Sequence, residues 1–261
     1  MNVSNRVSPV IQDIVERALE EIEASLDARV ILAMDAGPRG AGAPSVDSPY
    51  QIRFVYVHRL DWYLGLTPGT DQIELPASDA FSLTGWDIRR LVRTIQESPL
   101  PETGWLTSAS VYRADQDLLA RLVGLQRRAW RPAEELVAQL TKAAKATGSW
   151  SFGDTLTTSE FLSALQPTLA ARWIADGKGP LPYNIRELYA DLDDDLKTEI
   201  DQMLEAKGKT PASAEVPPSS RSQIFMDTEL PRLRALQIPA SIPPAAEPFN
   251  RVVADTIRRF G

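Results

Sequence analysis

Residues 31–64 read ILAMDAGPRGAGAPSVDSPYQIRFVYVHRLDWYL, and they contain two strand patterns joined by a loop. Apolar residues over 29–34 predict a short buried strand, and alternation over 51–57 predicts a second strand. The loop over 35–49 is rich in glycine and proline, which favour turns. A loop of this kind between two strands is typical of sites that hold a phosphate or position carboxylates.

Hydrophobic periodicity on both sides of this segment predicts a mixed first part and a helical second part. The expected helices lie at 8–26, 86–97, 114–127, 132–146, 159–175, 184–190, 192–205, 223–235 and 249–260. Further short strands are expected at 72–75 and 80–83, with a helical or turn segment at 60–64.

This order predicts an α+β fold in which a mixed sheet domain is followed by an α-helical domain. We expect the sheet domain to cover residues 1–110 and the helical domain to cover 111–207. The segment 208–222 is rich in Pro, Ser and Ala and is predicted to be a polar linker. A C-terminal helical extension, 223–261, is expected after it.

Composition narrows the function classes. The chain has 43% apolar and 24% charged residues, as globular proteins do, and no run of eighteen apolar residues that would predict a membrane span. Its net charge of −7 argues against broad nucleic-acid binding. With no cysteine and one histidine, His58, a zinc site is not expected. The first helix lacks the features of a secretory signal, so we expect a cytoplasmic protein.

Several longer stretches carry a family resemblance. They read YQIRFVYVHRLDWYL at 50–64, DQIELP at 71–76, LTGWDIRRLVRTI at 83–95, TGWLTSASVYRADQDLLARL at 103–122, LQPTLAARWIADGKGPLPYNIREL at 165–188 and FMDTELPRL at 225–233. The chain resembles the minimal nucleotidyltransferases of the DNA polymerase β superfamily, and within them the RNA-repair-associated RlaP or YcgL-like family. The resemblance implies the polymerase β-like fold and two-metal phosphoryl transfer.

The resemblance also implies where the chemistry would lie. The family's phosphate-binding Gly-Ser pair corresponds to Gly37 and Pro38, and its two metal-binding aspartates correspond to Pro49 and Gln51. Residues i and i+2 of a strand share a face, so two carboxylates there would reach one pair of Mg²⁺ ions. Proline offers neither a carboxylate nor a backbone N–H, and glutamine offers only a neutral carbonyl. This site is therefore expected to be degenerate.

Other family positions differ in the same direction. The third carboxylate corresponds to Ser82, with Glu74 as a weaker candidate. The lysines and the arginine of the family's basic helix correspond to residues 159–167, SEFLSALQP, where Ser, Glu and Gln166 stand. A histidine of the family corresponds to Ala138. Loss of these groups together indicates a retained scaffold without the usual catalysis.

Three functional hypotheses follow. In the first, the protein is a catalytically degenerate nucleotidyltransferase-fold protein that binds a nucleotide, an RNA end or a protein partner; no cofactor is expected. In the second, it is an active nucleotidyltransferase with a rearranged metal site that uses Mg²⁺ and an NTP. In the third, it only binds proteins. Candidate ligand-binding residues are Arg39, Asp47, Ser48, Arg53, Glu74 and Arg90. Asp35, Asp47 and Asp61 fit either a rebuilt metal site or ordinary turns.

Overall fold

A five-stranded mixed sheet forms the centre of the first part of the chain. The computed structural model describes residues 7–67, 69–75, 78, 80–97, 102–148, 150, 156–214 and 220–261. The strands are β1 (Ala28–Asp35), β2 (Tyr50–His58), β3 (Gln72–Glu74), β4 (Phe81–Asp87) and β5 (Val111–Ala114). Their order is β3-β4-β2-β1-β5. Strands β2 and β4 are parallel, whereas the other neighbours are antiparallel.

Helices account for most of the remaining elements. They are α1 (Pro9–Leu26), α2 (Leu60–Tyr63), α3 (Ile88–Glu97), α4 (Gln116–Ala129), α5 (Pro132–Thr147), α6 (Thr158–Ala175), α7 (Ile185–Leu188), α8 (Asp194–Lys209), α9 (Ser220–Arg234) and α10 (Glu247–Phe260). A short 3₁₀ helix, Gly104–Thr107, precedes β5. The mixed sheet and its helices confirm the expected α+β class. None of the helices in the described part of the chain is both long and apolar enough to span a bilayer.

Strand β2 separates two layers of core because successive side chains point to opposite faces of a sheet. Ile52, Phe54 and Tyr56 pack with Val15 and Leu19 of α1. The other face of β2 carries Gln51, Arg53, Val55 and Val57, and the core on that side is completed by α3, α4 and α10. Gln51 and Arg53 therefore lie on the same face of β2 as Val55 and Val57, the face that α3 covers, but at the polar N-terminal end of the strand.

The helices α5 to α9 have a core of their own. Its buried residues include Phe161, Leu165, Leu169, Ile185, Leu196, Ile200, Met203 and Met226. Helix α6 is buried along most of its length, which explains its nearly continuous apolar sequence. It begins with a capping box in which Thr157 and Glu160 satisfy each other's backbone N–H groups.

The last helix returns to the sheet. Phe249, Val252 and Ile257 of α10 are buried in the same core as Leu91 and Leu122 of α3 and α4. The outer side of this contact carries a salt bridge between Arg121 of α4 and Asp255 of α10, 2.7 Å long. A cation at the end of α10, Arg259, pairs with Asp115 at the start of α4.

Two local predictions are corrected by the structure. Strand β5 lies at 111–114, where no strand is expected from the sequence; pairing with β1 makes these residues a strand. Strand β4 continues to Asp87, where the sequence predicted a helix from Trp86, because β4 pairs with β2 along its whole length. In the region predicted to be a linker, α8 reaches Lys209 and α9 starts at Ser220, whereas residues 215–219 lie outside the described part.

Candidate functional site

A buried carboxylate at the end of β1 organises the loop 36–49. One oxygen of Asp35, Oδ1, accepts hydrogen bonds from the backbone N–H groups of Gly37 (2.8 Å) and Gly40 (3.1 Å). Asp35 is fully buried, and burial raises the pKa of its carboxyl, although the two backbone bonds and the charge of Arg39 oppose the rise. Its Oδ2 has no hydrogen-bond partner among the described residues. Asp35 thus serves the turn, the second of its two expected roles.

The structure brings together three positions that the sequence singled out. A Cβ atom placed on Gly37 would lie 3.0 Å from Cβ and 3.1 Å from Oε1 of Gln51, so the Gln51 side chain lies over the glycine. Gln51 pairs with Ser82 in the parallel register of β2 and β4. Pro38 and Pro49 flank this point on the loop, and Pro38 accepts a hydrogen bond from the Ala43 N–H through its carbonyl. The cluster is open to solvent at Gln51.

Two arginines lie beside this cluster on one indole ring. The guanidinium carbon of Arg53 is 4.8 Å from the ring centroid of Trp86, and that of Arg90 is 5.4 Å from it. Burial lowers the pKa of Arg53, and the nearby charge of Arg90 acts in the same direction, whereas the charge of Glu102 opposes the fall. Arg90 donates from Nη1 to Asp71 (3.0 Å), while its buried Nε has no partner in the described chain. No described residue forms a salt bridge with Arg53.

Tyr183, in the helical half, lies within electrostatic range of the same arginine. Burial and the nearby charge of Asp35 raise the pKa of Tyr183 to about 12, whereas the charge of Arg53 opposes the rise. At neutral pH this phenol therefore stays protonated and can donate a hydrogen bond. No sequence feature indicates Tyr183, because the tyrosine lies in a loop about 130 residues after Arg53 and only the fold brings the two residues near each other.

Other candidate residues serve the loop itself. Arg39 donates to the carbonyl oxygen of Ser48 from Nη2 (2.8 Å) and lies over the Tyr50 ring. The Ser48 hydroxyl accepts the N–H of Ser45 at 2.8 Å. Asp47 accepts the backbone N–H of Ala212 at 3.0 Å, and hydrogen bonds lower the pKa of its exposed carboxyl. These contacts hold the loop in place.

Glu74 and the basic-helix positions lie elsewhere. Glu74 is exposed on the edge strand β3, where it accepts a hydrogen bond from the amide of Gln72. Glu160 is part of the cap of α6, and Ser159 donates its hydroxyl hydrogen to the Ala212 carbonyl. Ser159 and Glu160, which occupy positions of the family's basic helix, thus form hydrogen bonds within the protein and have no cationic group to offer a phosphate.

Further contacts tie the loop to the helical half. The ammonium group of Lys207 on α8 donates to the Ala43 carbonyl at 2.5 Å, and the Ile185 N–H donates to the Ala41 carbonyl at 3.0 Å. Gly42 adopts a positive φ of 77° and lies against Asn184, where a Cβ atom would approach the Asn184 Oδ1 to 2.5 Å. Lysine in a last helical turn is common, so nothing in the local sequence indicates the role of Lys207.

A cavity of about 390 Å³ opens between the two halves beside Tyr183. It is lined by Gln139, Lys142, Ser163, Gln166, Pro167 and Tyr183, among others. Gln166 is the position where the family resemblance implies an arginine, and Lys142 is the cation that lines this cavity. Among the described residues, no group of three or more His, Asp and Glu side chains is arranged to hold a metal ion.

Comparison with known proteins identifies the family through one family model. A family model described as the RNA repair pathway DNA polymerase beta family matches residues 11–255. The protein YcgL of Bacillus subtilis (strain 168), named as uncharacterized, is 27% identical over 246 residues, which are 92% of this chain and 94% of YcgL. A crystal structure of a nucleotidyltransferase-like protein from Exiguobacterium sibiricum 255-15 is 13% identical, with a TM-score of 0.31, over 95% of this chain and 80% of that protein.

Proposed function

Since this chain belongs to the RNA repair pathway DNA polymerase beta family, we propose that it is a catalytically degenerate member of that family. In this proposal the protein binds the phosphate end of a nucleotide or of an RNA and does so without a metal ion. It acts as a binding or regulatory protein in the cytoplasm, a location that its cysteine-free composition suits.

The residues around Gln51 support the loss of two-metal chemistry. Mg²⁺ needs several oxygen ligands, and in two-metal sites carboxylates supply the negative charge that holds both ions. Pro49, Gln51 and Ser82 occupy the positions that the family resemblance assigns to those carboxylates. Their side chains offer one amide and one hydroxyl, both neutral. A phosphate that reaches this point meets no carboxylate from these three residues, so it needs no metal ion to screen it.

The observation that carries the proposal is the state of Arg53. This guanidinium is half-buried on the same strand face as Gln51, close to a second arginine, Arg90, and without a salt bridge in the described chain. Arginine binds phosphate oxygens through paired N–H groups, and such charge-assisted bonds are the strong ones. The Tyr183 hydroxyl, protonated at neutral pH, is a further hydrogen-bond donor in the vicinity of Arg53. The cluster therefore fits an anion better than a cation.

Titration calorimetry with ATP and with a 5′-phosphorylated oligoribonucleotide, in Mg²⁺ and then in EDTA, tests the proposal. We expect similar affinity in both buffers and no transfer of a labelled nucleotide to RNA or protein. Arg53→Gln should weaken binding about 10- to 100-fold, the equivalent of one charged hydrogen bond. Arg17→Gln, which removes an exposed arginine on α1, is the matched control and should bind as the unaltered protein does.

Two outcomes would overturn the proposal. Metal-dependent label transfer would show an active nucleotidyltransferase with a rearranged site. Absence of binding to both probes at millimolar concentration would leave a protein partner as the ligand class. A gain-of-function variant separates these cases further: Pro49→Asp, Gln51→Asp and Ser82→Asp together should make nucleotide binding depend on Mg²⁺, because the added carboxylates repel phosphate until a metal ion is bound.

A further inference from the structure

The segment between α9 and α10 crosses the protein surface without helix or strand. Residues 235–246 read ALQIPASIPPAA and contain no charged side chain. Within the described chain, no hydrogen bond involves the backbone of residues 237–245. Both ends are fixed, because Leu233 before the segment and Phe249 after it are buried in separate cores. Residues 237–246, called the strap below, are therefore held in place while their peptide groups stay unengaged.

Exposure along the strap repeats every three residues. Ile238, Ser241 and Pro244 are half-buried, whereas the two residues that follow each of them are exposed. Ile238 packs against the small core that contains Leu233. A polyproline II helix has three residues per turn and no internal hydrogen bonds. The strap thus lies on the protein as such a helix does, with one face inward and two faces outward.

The prolines make this conformation the preferred one before any binding. Proline fixes its own φ near −65°, and Pro239, Pro243 and Pro244 are spread along the strap. The residue before a proline is restricted to extended conformations, which applies to Ile238 and Ile242. A partner that binds the strap would therefore have little conformational entropy to remove, and preorganised segments bind better for that reason.

The outward faces carry small apolar side chains. Ile242 is 90% exposed, so its side chain contributes almost nothing to the stability of this fold. Two adjacent pairs, Pro239 with Ala240 and Ile242 with Pro243, point outward one turn apart. Aromatic-lined grooves recognise polyproline II segments by taking up such pairs between flat rings. Tyrosine and tryptophan in a groove also donate hydrogen bonds, which the unengaged carbonyl groups of the strap can accept.

The charges at the two ends of the strap differ. Arg232 pairs with Glu229 on α9, and Arg251 pairs with Glu247 on α10. Arg234, exposed just before the strap, forms no salt bridge with any residue that the structure describes. A complementary partner would therefore place a carboxylate beside the start of its groove, at the end where Arg234 lies.

We propose that the strap is a docking segment for a partner protein with an aromatic-lined groove and a carboxylate at the groove's edge. The inward residues hold the strap on the helical half, and the outward residues enter the groove. The strap lies outside the cluster around Arg53, and this inference does not depend on the function proposed for that cluster.

NMR titration of the ¹⁵N-labelled full chain with purified SH3, WW and EVH1 domains, three classes that bind polyproline II segments, tests the proposal. We expect at least one domain, at submillimolar concentration, to shift signals of the strap and to leave those of the loop 36–49 unchanged. Ile242→Asp should weaken this binding about tenfold or more, because a charge would enter an apolar groove. Leu66→Asp, which alters a fully exposed leucine of the sheet half, is the matched control and should bind as the unaltered protein does.

Single-cysteine variants test the three-residue register, because the chain has no cysteine of its own. Ala240→Cys and Ile242→Cys should react quickly with a thiol reagent, and Ser241→Cys should react more slowly. The bound domain should slow the first two reactions and leave the third unchanged. Arg234→Gln should weaken binding about two- to fivefold at low salt, as for an exposed ion pair, and by nothing measurable in 1 M salt.

The proposal is overturned if none of the three domains shifts the signals of the strap at millimolar concentration, since the strap is then only a connector. It is overturned equally if Ile242→Asp binds as the unaltered protein does. Reaction of Ser241→Cys as fast as its two neighbours would refute the inward and outward faces on which the inference rests.

Discussion

Removing the Asp35 carboxylate should release the loop between β1 and β2. In Asp35→Ala the backbone N–H groups of Gly37 and Gly40 lose their acceptor, while both glycines remain buried. Each unpaired N–H costs about 1–3 kcal/mol, and relief of the buried charge offsets part of the sum. We therefore expect the free energy of unfolding to fall by about 2–4 kcal/mol.

Asp35→Asn is the informative partner of this variant. The amide oxygen can keep both backbone bonds, and the nitrogen takes the place of Oδ2, which accepts no bond from the described residues. The Asp35 pKa is raised above its ordinary value of 3.8, so at a pH between 3.8 and the folded pKa the folded state holds more of this proton than the unfolded chain does. The unaltered protein thus loses stability as pH rises from 3.8 through the folded pKa. Asparagine does not titrate, and its advantage should grow over that window and then stay constant.

Urea unfolding between pH 4 and pH 8, with amide hydrogen exchange at Gly37 and Gly40, measures both effects. The reasoning fails if Asp35→Ala unfolds within about 0.5 kcal/mol of the unaltered protein, the spread of ordinary surface changes. It also fails if the two glycine amides keep their protection in that variant, or if the Asp35→Asn difference has no dependence on pH.

Three further changes have definite expected outcomes. Lys207→Met leaves the Ala43 carbonyl without its donor. Amide hydrogen exchange and proteolysis should therefore increase in the loop 36–49, and the free energy of unfolding in urea should fall by about 1–2 kcal/mol. Gly85→Ala should destabilise by about 1–3 kcal/mol in thermal unfolding, because its Cβ atom would lie 2.2 Å from the Phe54 ring; a change below 0.5 kcal/mol, about the usual surface value, would contradict it. A hydrogen bond from Lys178 lowers the pKa of Asp191 to about 2. The Asp191 carboxylate therefore stabilises the fold above pH 3.8, and this contribution is lost as pH falls through about 2. Since the pair is partly exposed, Asp191→Asn should lower the free energy of unfolding by less than about 1 kcal/mol at pH 7 and leave it unchanged at about pH 1.5, as measured by acid titration.

Much of the architecture was accessible from the sequence because periodicity reports burial directly. The strands at 28–35 and 50–58 and the long helices lie close to the predicted positions. Strand β5 and the second half of β4 were missed since their status depends on pairing partners distant in sequence. Gly85 lies beyond the strand expected at 80–83, yet it stands within β4 because it pairs with Phe54 of β2. Its lack of a side chain leaves room for the Phe54 ring.

The residues of the candidate site could be predicted from the sequence only in part. Resemblance identified Gly37, Gln51 and Ser82, and the structure places them together at one end of β2. The role of Tyr183 had no sequence signal, because a tyrosine in a loop is ordinary. Its importance arises from burial and from the charged neighbours that the fold supplies.

The return of α10 to the sheet has a consequence for synthesis on the ribosome. Phe249 is 1% exposed, and it fills a core whose other members, such as Leu91 and Leu122, are translated more than a hundred residues earlier. Until residues 247–260 emerge, the nascent sheet half keeps an apolar surface uncovered while the helical half, with its separate core, can already collapse. The sheet half, which is synthesised first, is thus completed last. A translation product that stops before α10 would expose a hydrophobic surface of the kind that chaperones and proteases recognise.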